Sequence, residues 1–220
     1  MQGALYRHVI WDWNGTLLDD LDLSIDIMNG VLERRGLPRL DRARYHAVFD
    51  FPVRAYYERL GFDFRRDSFE NLSAEFIAGY DARREESQLQ SGAREVLAAL
   101  EHAGVTQSVL SAYRGVTLRE IVGHFGLTHH FSRLIGLDNI YAHSKTELGR
   151  AWVAELGLPG NAILMIGDTL HDLEVAEAMG VDCVLVAAGH HPDHRLRRAT
   201  DRVLDDLDQL RTVPGLSMAD

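Results

Sequence analysis

Residues 8–19 have the sequence HVIWDWNGTLLD, a short, mostly apolar run followed at once by a carboxylate. The run from His8 to Trp11 has the length and composition of a buried β-strand. Asp12 is the residue at which this strand is predicted to end. The stretch therefore predicts a first strand near the start of the chain, with an acidic side chain at its carboxyl end.

Strands of the same kind recur and alternate with helical patterns. Three further apolar runs are strand candidates, at residues 106–110, 162–166 and 183–187. Helical spacing of apolar residues is found at about residues 93–103, 115–125, 145–156 and 171–179, and glycine follows most of these segments. Such alternation indicates an α/β fold, a doubly wound parallel sheet with helices on both faces.

Residues 19–90 interrupt this alternation. They contain helical patterns only, at residues 21–35, 42–49, 52–60 and 68–86. No strand pattern separates these helices, so we expect an inserted, all-helical unit between the first strand and the rest of the sheet. The predicted organisation is an α/β catalytic core, residues 1–18 and 91–220, and a helical cap, residues 19–90.

The composition excludes several classes of partner. Of 220 residues, 46% are hydrophobic and 25% are charged, which is enough for a core without disulfides or a structural metal. The 23 basic and 33 acidic side chains give a formal net charge of -10, which argues against nucleic acid or an anionic membrane as the main partner. No secretion signal or apolar run of membrane-spanning length is found, so we expect a soluble, cytoplasmic protein.

Two residues are informative because each is the only one of its type. Cys183 is the only cysteine, which excludes an internal disulfide and a multi-thiolate zinc site. It lies in the apolar run of residues 181–186, so we predict a buried thiol rather than a nucleophile. Lys145 is the only lysine among the 23 basic residues, which makes its position worth testing.

Polar side chains follow the strands at the edge where ligands of parallel sheets bind. A carboxylate at Asp12 can attack phosphorus if cations neutralise the incoming phosphate. Asp168 and Asp172 follow another strand and offer the hard oxygen ligands that suit Mg²⁺. Lys145 can reach both a carboxylate and a phosphate oxygen. Ser111 ends a further strand, and its hydroxyl together with the backbone amides that follow it can hold phosphoryl oxygens.

These four segments resemble, in order, the four motifs of the haloacid dehalogenase superfamily. The helical insert resembles the small cap of its phosphoglycolate-phosphatase-like branch, and the resemblance covers roughly residues 5–210. It implies a Rossmann-like core and a Mg²⁺-dependent phosphatase that hydrolyses a small phosphorylated metabolite through an aspartyl-phosphate. The ordered set of four motifs carries this resemblance, since a lone Asp-x-x-Gly-Thr occurs often by chance.

The resemblance also implies a role for each matching residue. Asp12 is the nucleophile and a Mg²⁺ ligand, Asp168 is the second carboxylate ligand, and the backbone carbonyl of Asn14 completes the metal set. Asp172 acts on the metal through water or orients Lys145.

The remaining implied roles concern the phosphoryl group. Lys145 screens the charge between the nucleophile and the phosphate. Ser111 and the amide of Ala112 bind the transferring group, and Thr16, assigned to the same phosphate-binding set, supports the loop by hydrogen bonding.

Asn14 is a departure from the family pattern. Phosphatases of the family usually carry a second aspartate two residues after the nucleophile, which protonates the leaving group and then activates water. An amide keeps the backbone metal ligand but cannot carry the proton. General acid–base catalysis contributes typically about 10²–10⁴-fold, so we expect an attenuated but not abolished turnover.

Relatives without that aspartate define the alternatives. Phosphonoacetaldehyde hydrolases need a Schiff-base lysine from the cap, and residues 19–90 contain no lysine. A metal-independent 2-haloacid dehalogenase has little use for the acidic pair Asp168 and Asp172. A third alternative is a phosphometabolite-binding protein with little turnover.

Histidines cluster at His190-His191 with His194, and at His129-His130. Imidazoles at such spacing can bind a transition metal. The first cluster lies in a polar stretch with glycine and proline, which is more typical of a solvated loop, and this is the interpretation that we favour.

Overall fold

The structure, a computed structural model, describes residues 6–137 and 145–218. The chain divides into two units. One unit consists of residues 1–18 and 89–220, and the other of residues 19–88.

Strands and helices alternate in the larger unit, whereas the smaller unit is helical. In the described ranges the strands are β1 (His8–Trp11), β2 (Leu18–Asp19), β3 (Gln88–Leu89), β4 (Thr106–Arg114), β5 (Arg133–Leu137), β6 (Ile163–Gly167), β7 (Asp182–Val186) and β8 (Val203–Leu204). The helices are α1 (Leu21–Glu33), α2 (Arg42–Val48), α3 (Val53–Leu60), α4 (Phe69–Arg83), α5 (Ala93–His102), α6 (Gly115–His124), α7 (Lys145–Leu156), α8 (Leu170–Met179) and α9 (Asp193–Ala199). Short 3₁₀ segments lie at Arg84–Glu86, Thr128–His130, Gly160–Ala162 and Leu207–Thr212.

Six strands form one parallel sheet in the order β5-β4-β1-β6-β7-β8. β1 lies near its centre, where Trp11 pairs with Val109 of β4 and with Ile166 of β6. β2 and β3 form a separate two-stranded sheet. The predicted parallel sheet is confirmed, and its strands all end at the same edge.

Helices cover both faces of this sheet. Successive side chains of a strand point to opposite faces, so Val9 and Trp11 of β1 pack with α5 and α6, whereas Ile10 packs with α7, α8 and α9. All three side chains are fully buried. Burial on both faces explains why the central strands are continuous apolar runs rather than alternating ones, and the doubly wound arrangement is confirmed.

The structure differs from the prediction at the edges of the sheet. β4 continues to Arg114, beyond the predicted end at residue 110, with a shift of register against β5 between Leu110 and Arg114. β5 and β8 were not predicted, because β5 is only half-buried and β8 has two residues. Gly136 in β5 weakens the strand pattern but is required, since a Cβ there would lie 2.5 Å from the carbonyl oxygen of Tyr113.

Helices α1 to α4 form the smaller unit around an apolar cluster of their own. Its fully buried members include Met28, Val31, Leu32, Leu60 and Leu72. The buried Asn29 is satisfied by Leu40, whose backbone N–H donates to Asn29 Oδ1 at 2.6 Å and whose carbonyl accepts from Asn29 Nδ2 at 2.9 Å. This pair fixes the connection between α1 and α2, which explains how a polar side chain is tolerated in this core.

Cys183 lies in β7 and is buried. The prediction of a buried thiol is confirmed, and burial raises the pKa of this thiol above the usual range, which disfavours the nucleophilic thiolate. In the described parts of the chain, none of the helices combines the length and the apolar character needed to cross a membrane.

His8, at the start of β1, is a buried histidine with a hydrogen-bond partner at each ring nitrogen. Its Nε2 lies 2.8 Å from Ser108 Oγ, which also accepts a hydrogen bond from Trp152 Nε1 at 2.9 Å. Its Nδ1 lies 2.7 Å from Thr106 Oγ1, which donates to the carbonyl of Arg7 at 3.1 Å. With Nδ1–H donating to Thr106, the Ser108 hydroxyl can donate to Nε2, an arrangement that fits the neutral ring.

We expect His8 to make the fold sensitive to acid. Burial lowers the pKa of His8 from 6.5 to about 4, so the unfolded chain binds the proton more readily than the folded one. Stability is therefore fully present above pH 6.5 and is lost as the pH falls towards about 4, by about 3 kcal/mol for this residue. Urea unfolding across this range should show a shallower acid dependence for His8→Gln than for wild type. If the free energy of unfolding of His8→Gln falls with pH as steeply as that of wild type, His8 is not the source of the acid sensitivity. The same holds if the exposed His194→Gln shows an equally shallow dependence.

Candidate active site

The carboxyl ends of β1 and β6 place two carboxylates beside each other. The Asp12 N–H donates to the carbonyl of Ile166 at 2.8 Å, which extends the pairing of these strands by one residue. Asp168 directly follows β6, and Asp172 lies in the first turn of α8. The three residues Asp12, Asp168 and Asp172 are 7%, 0% and 2% exposed. One oxygen from each lies within 4.8 Å of the others, so two distant segments of the chain contribute to one buried acidic cluster.

Lys145, the first residue of α7, brings a positive charge into this cluster. Its Nζ donates to Asp12 Oδ1 at 2.5 Å and to Asp172 Oδ1 at 2.6 Å. The lysine is 5% exposed. Burial lowers the pKa of Lys145, but the two carboxylates outweigh this effect and raise it above the usual range. The side chain is therefore a fixed ammonium that bridges two acids.

Asp172 anchors the start of α8 and orients Lys145. Its Oδ2 accepts hydrogen bonds from Thr169 N–H at 3.0 Å, from the Thr169 hydroxyl at 2.7 Å and from Asp168 N–H at 3.3 Å. Burial opposes ionisation of Asp172, but the Lys145 charge and these hydrogen bonds hold its pKa below the usual range. With both oxygens engaged, Asp172 is positioned to hold Lys145 against Asp12.

Asp168 is held from two sides. Its Oδ1 accepts a hydrogen bond from the Thr16 hydroxyl at 3.0 Å, and its Oδ2 accepts one from the backbone N–H of His190 at 2.6 Å. Gly15 and Gly189 pack against the same carboxylate. A Cβ at Gly15 would lie 2.2 Å from Asp168 Oδ2, and a Cβ at Gly189 would lie 2.1 Å from it. Both glycines are required by this close approach, and the orientation of Asp168 is fixed.

The electrostatics of the cluster fit a divalent cation. Burial raises the pKa of both Asp12 and Asp168, and neighbouring carboxylates raise it further, whereas Lys145 lowers the pKa of Asp12 and His190 that of Asp168. Carboxylates outnumber the ammonium group three to one in this buried cluster. A hard cation such as Mg²⁺ prefers carboxylate oxygens and would favour their ionised form.

The remaining residues singled out from the sequence lie at the same edge of the sheet. Asn14 is half-buried in the turn after β1, where its backbone pairs with Leu18. The expectation that the strand ends at Ser111 is wrong, because Ser111 lies inside β4, whose pairing continues past the apolar run. The Ser111 hydroxyl accepts the Tyr113 N–H at 3.1 Å, so that amide is already engaged. Ser111 is buried, and Ala112 is exposed.

The segment after β7 contributes residues that sequence reasoning missed. The expectation of a solvated loop is wrong for His190 and His191, which are 7% and 1% exposed. The His190 N–H binds Asp168, and His191 Nδ1 accepts the Leu170 N–H at 3.1 Å, at the start of α8. His194 is exposed in α9. The available signal was the position of Gly189-His190-His191 directly after a buried strand, at the edge that carries the carboxylates.

Known proteins share this sequence pattern. The family described as haloacid dehalogenase-like hydrolase matches residues 9–186. A 5'-nucleotidase of Pseudomonas aeruginosa is 32% identical over 200 residues, which cover 87% of this chain and 87% of that protein. An N-acetylmuramic acid 6-phosphate phosphatase of Pseudomonas putida is 30% identical over 213 residues, which cover 94% of this chain and 95% of that protein.

The fold is also shared with solved structures. The structure of protein tyrosine kinase A (PtkA) from Mycobacterium tuberculosis superposes with a TM-score of 0.79 at 27% sequence identity. The superposition covers 96% of this chain and 98% of that one. Similarity therefore extends over both units of the chain, not over the sheet alone.

Proposed function

The chain belongs to the haloacid dehalogenase-like hydrolases, and from this premise we propose that it hydrolyses a small phosphomonoester through an aspartyl-phosphate on Asp12. The observation that carries the proposal is the buried cluster of Asp12, Asp168 and Asp172 bridged by Lys145. In the same proposal the helical unit, residues 19–88, is the cap that selects the substrate. The names of the two curated relatives, one for a nucleotide and one for a sugar phosphate, support a small phosphorylated metabolite as substrate.

The reaction proceeds in two displacements at phosphorus. In the first, a carboxylate oxygen of Asp12 bonds to phosphorus, the bond to the ester oxygen breaks, and the leaving alkoxide takes a proton from water. In the second, a water oxygen bonds to the same phosphorus, the bond between phosphorus and Asp12 breaks, and a proton of the attacking water passes to solvent. Inorganic phosphate and the free Asp12 carboxylate are formed. Splitting the reaction in this way replaces one difficult step by two easier ones.

Lys145 supports both steps by its position. Its ammonium group contacts Asp12 directly, so it reduces the repulsion between the nucleophilic carboxylate and an anionic phosphate. Asp172 keeps the ammonium in place from the other side. Ser111, the Ala112 amide and Thr16 remain assigned to the phosphoryl group by family resemblance, although the Thr16 hydroxyl is directed at Asp168 here.

The acidic cluster supports Mg²⁺ as cofactor. Asp12 and Asp168, with the backbone carbonyl of Asn14, are the residues that would hold it, and Asp172 acts through water or through Lys145. When bound, Mg²⁺ supplies positive charge that stabilises the phosphoryl oxygens in the transition state.

A panel of phosphomonoesters, with a 2-haloacid included, tests this proposal when it is run with and without Mg²⁺. We expect phosphate release that depends on Mg²⁺ and no halide release. Metal-independent halide release would instead establish a dehalogenase. Tight binding of a phosphorylated metabolite without turnover would establish a binding protein, and either result would overturn the phosphatase proposal.

Gly189→Ala is expected to lower the apparent affinity for Mg²⁺ by about 10–100-fold, the usual cost of disturbing a partner of a metal ligand. The new Cβ would lie 2.1 Å from Asp168 Oδ2 and 2.6 Å from the carbonyl of Gly15, so the carboxylate must move. The Mg²⁺ dependence of phosphate release measures the effect. In the matched control Gly123→Ala, on α6, the nearest atom is Thr128 Oγ1 at 3.9 Å. Equal Mg²⁺ dependence in both variants would show that Gly189 does not position a metal ligand.

A further inference from the structure

Two histidines and a glutamate meet at a second place in the larger unit. Glu101 lies in the last turn of α5, and His129 and His130 lie in the 3₁₀ segment Thr128–His130. One ligand atom from each of the three side chains lies within 4.8 Å of the others. We refer to Glu101, His129 and His130 as the imidazole cluster.

The side chains of the imidazole cluster are already oriented towards one another. His130 Nδ1 lies 2.6 Å from Glu101 Oε2, and the ring centroids of His129 and His130 are 4.0 Å apart. Neighbouring residues in a 3₁₀ segment do not usually direct their side chains to the same side, since successive residues are about a third of a turn apart. The arrangement therefore brings ligand atoms of two imidazoles and one carboxylate within 4.8 Å of one another in the folded chain.

The backbone that carries the two histidines is fixed on both sides. Leu127 and Phe131 flank the segment, and both are buried in the same core as α5. The His130 N–H donates to the carbonyl of Leu127 at 3.1 Å, and the Phe131 N–H donates to that of Thr128 at 3.3 Å. A ligand at this cluster would replace the direct contact between His130 Nδ1 and Glu101 Oε2 but would need no rearrangement of the backbone, which lowers the entropic cost of binding.

The imidazole cluster is separate from the acidic cluster described above. Glu101 precedes the beginning of β4, and His129 and His130 precede the beginning of β5, whereas Asp12 and Asp168 follow the ends of their strands. In a parallel sheet these are opposite edges, and a strand of five residues spans on the order of 17 Å. The two clusters also differ in chemistry, because imidazole nitrogens suit borderline transition metals and not Mg²⁺.

We propose that Glu101, His129 and His130 bind a Zn²⁺ ion that ties the end of α5 to the segment before β5. Three protein ligands with water in the fourth position satisfy the tetrahedral preference of Zn²⁺. The exposed position of Glu101 and His129 gives the ion access from solvent. Because Zn²⁺ joins two segments of the folded chain, its binding stabilises the native state.

Calorimetric titration of the full chain with Zn²⁺, in a large excess of Mg²⁺ to occupy the acidic cluster, tests the proposal. Wild type should bind one Zn²⁺ at this cluster, and its melting temperature should rise with Zn²⁺. His129→Ala and Glu101→Gln should each weaken binding at least about tenfold, since even the loss of an outer-shell partner costs about 10–100-fold. Both residues are exposed, so the fold should tolerate these changes.

His194→Ala is the matched control, because it removes an exposed imidazole from α9 instead. It should bind Zn²⁺ as wild type does. If His129→Ala and Glu101→Gln both bind Zn²⁺ as tightly as wild type, the proposal is overturned. It is also overturned if Zn²⁺ binding is lost only in Asp168→Asn, a variant of the acidic cluster. Neither result bears on the phosphatase activity, which the Mg²⁺-dependent assay measures separately.

Discussion

Asp12→Asn is expected to lower phosphate release by roughly 10⁴-fold or more, the scale on which loss of a covalent nucleophile acts. The amide keeps the shape of the side chain and an oxygen for the Lys145 ammonium, which donates to Asp12 Oδ1 in the wild type. It cannot attack phosphorus as a carboxylate does. Burial and neighbouring carboxylates already raise the pKa of Asp12, so a neutral group at this position should not prevent folding.

Phosphate release in the presence of Mg²⁺ measures the effect, with thermal unfolding as the check on folding. Asp182→Asn is the control, since Asp182 is a carboxylate at the start of β7 that accepts a hydrogen bond from Tyr6. It should retain most of the activity. Residual activity of Asp12→Asn near that of the control would rule out Asp12 as the nucleophile.

Asn14→Asp is expected to raise the turnover number by at least about tenfold, and by up to the 10²–10⁴-fold that general acid–base catalysis typically contributes. The new carboxyl group can protonate the leaving oxygen and then take a proton from the attacking water, which the amide of Asn14 cannot do. The gain should appear mainly in the turnover number, because the change acts on the chemical steps rather than on substrate binding.

Asn161→Asp makes the same chemical change at an exposed position before β6 and should leave the rate unaltered. Peptide mapping of fresh protein verifies that residue 14 is asparagine in the wild-type sample. A rate for Asn14→Asp no higher than that of wild type would show that residue 14 does not limit turnover.

The central part of the fold was predictable because each element carries its own local signal. β1, β6 and β7 are buried on both faces and therefore appear as continuous apolar runs. Most helices are followed by glycine in the left-handed region, such as Gly126 and Gly180, which marks their ends in the sequence. β5 and β8 lack such signals, because an edge strand is specified by its pairing with a neighbour more than by its own composition.

In the candidate site, too, the residues with a local signal in the sequence were predictable and the others were not. Asp12, Asp168 and Lys145 could be singled out because charged residues at strand ends or helix starts contrast with the apolar segments beside them. The hydrogen bonds that orient Asp168 could not be predicted in this way, because they come from Thr16, 152 positions away, and from a backbone N–H, 22 positions away. A backbone N–H donor cannot be recognised from residue type, because every residue except proline has one. The polar segment that carries His190 was therefore interpreted as a solvated loop.

The proposed mechanism requires a phosphoryl group carried by Asp12. The measurement is acid quenching of wild type during turnover with Mg²⁺ and a phosphomonoester, followed by mass spectrometry of the peptide that contains residues 8–19. With an aryl phosphate, whose leaving group needs little protonation, Asn14 slows mainly the second step, for which it supplies no base. We therefore predict that one phosphoryl group accumulates on Asp12, and that Asn14→Asp accumulates less at a higher rate of phosphate release. Steady phosphate release with Asp12 unmodified, or with the phosphoryl group on another residue, would contradict the account.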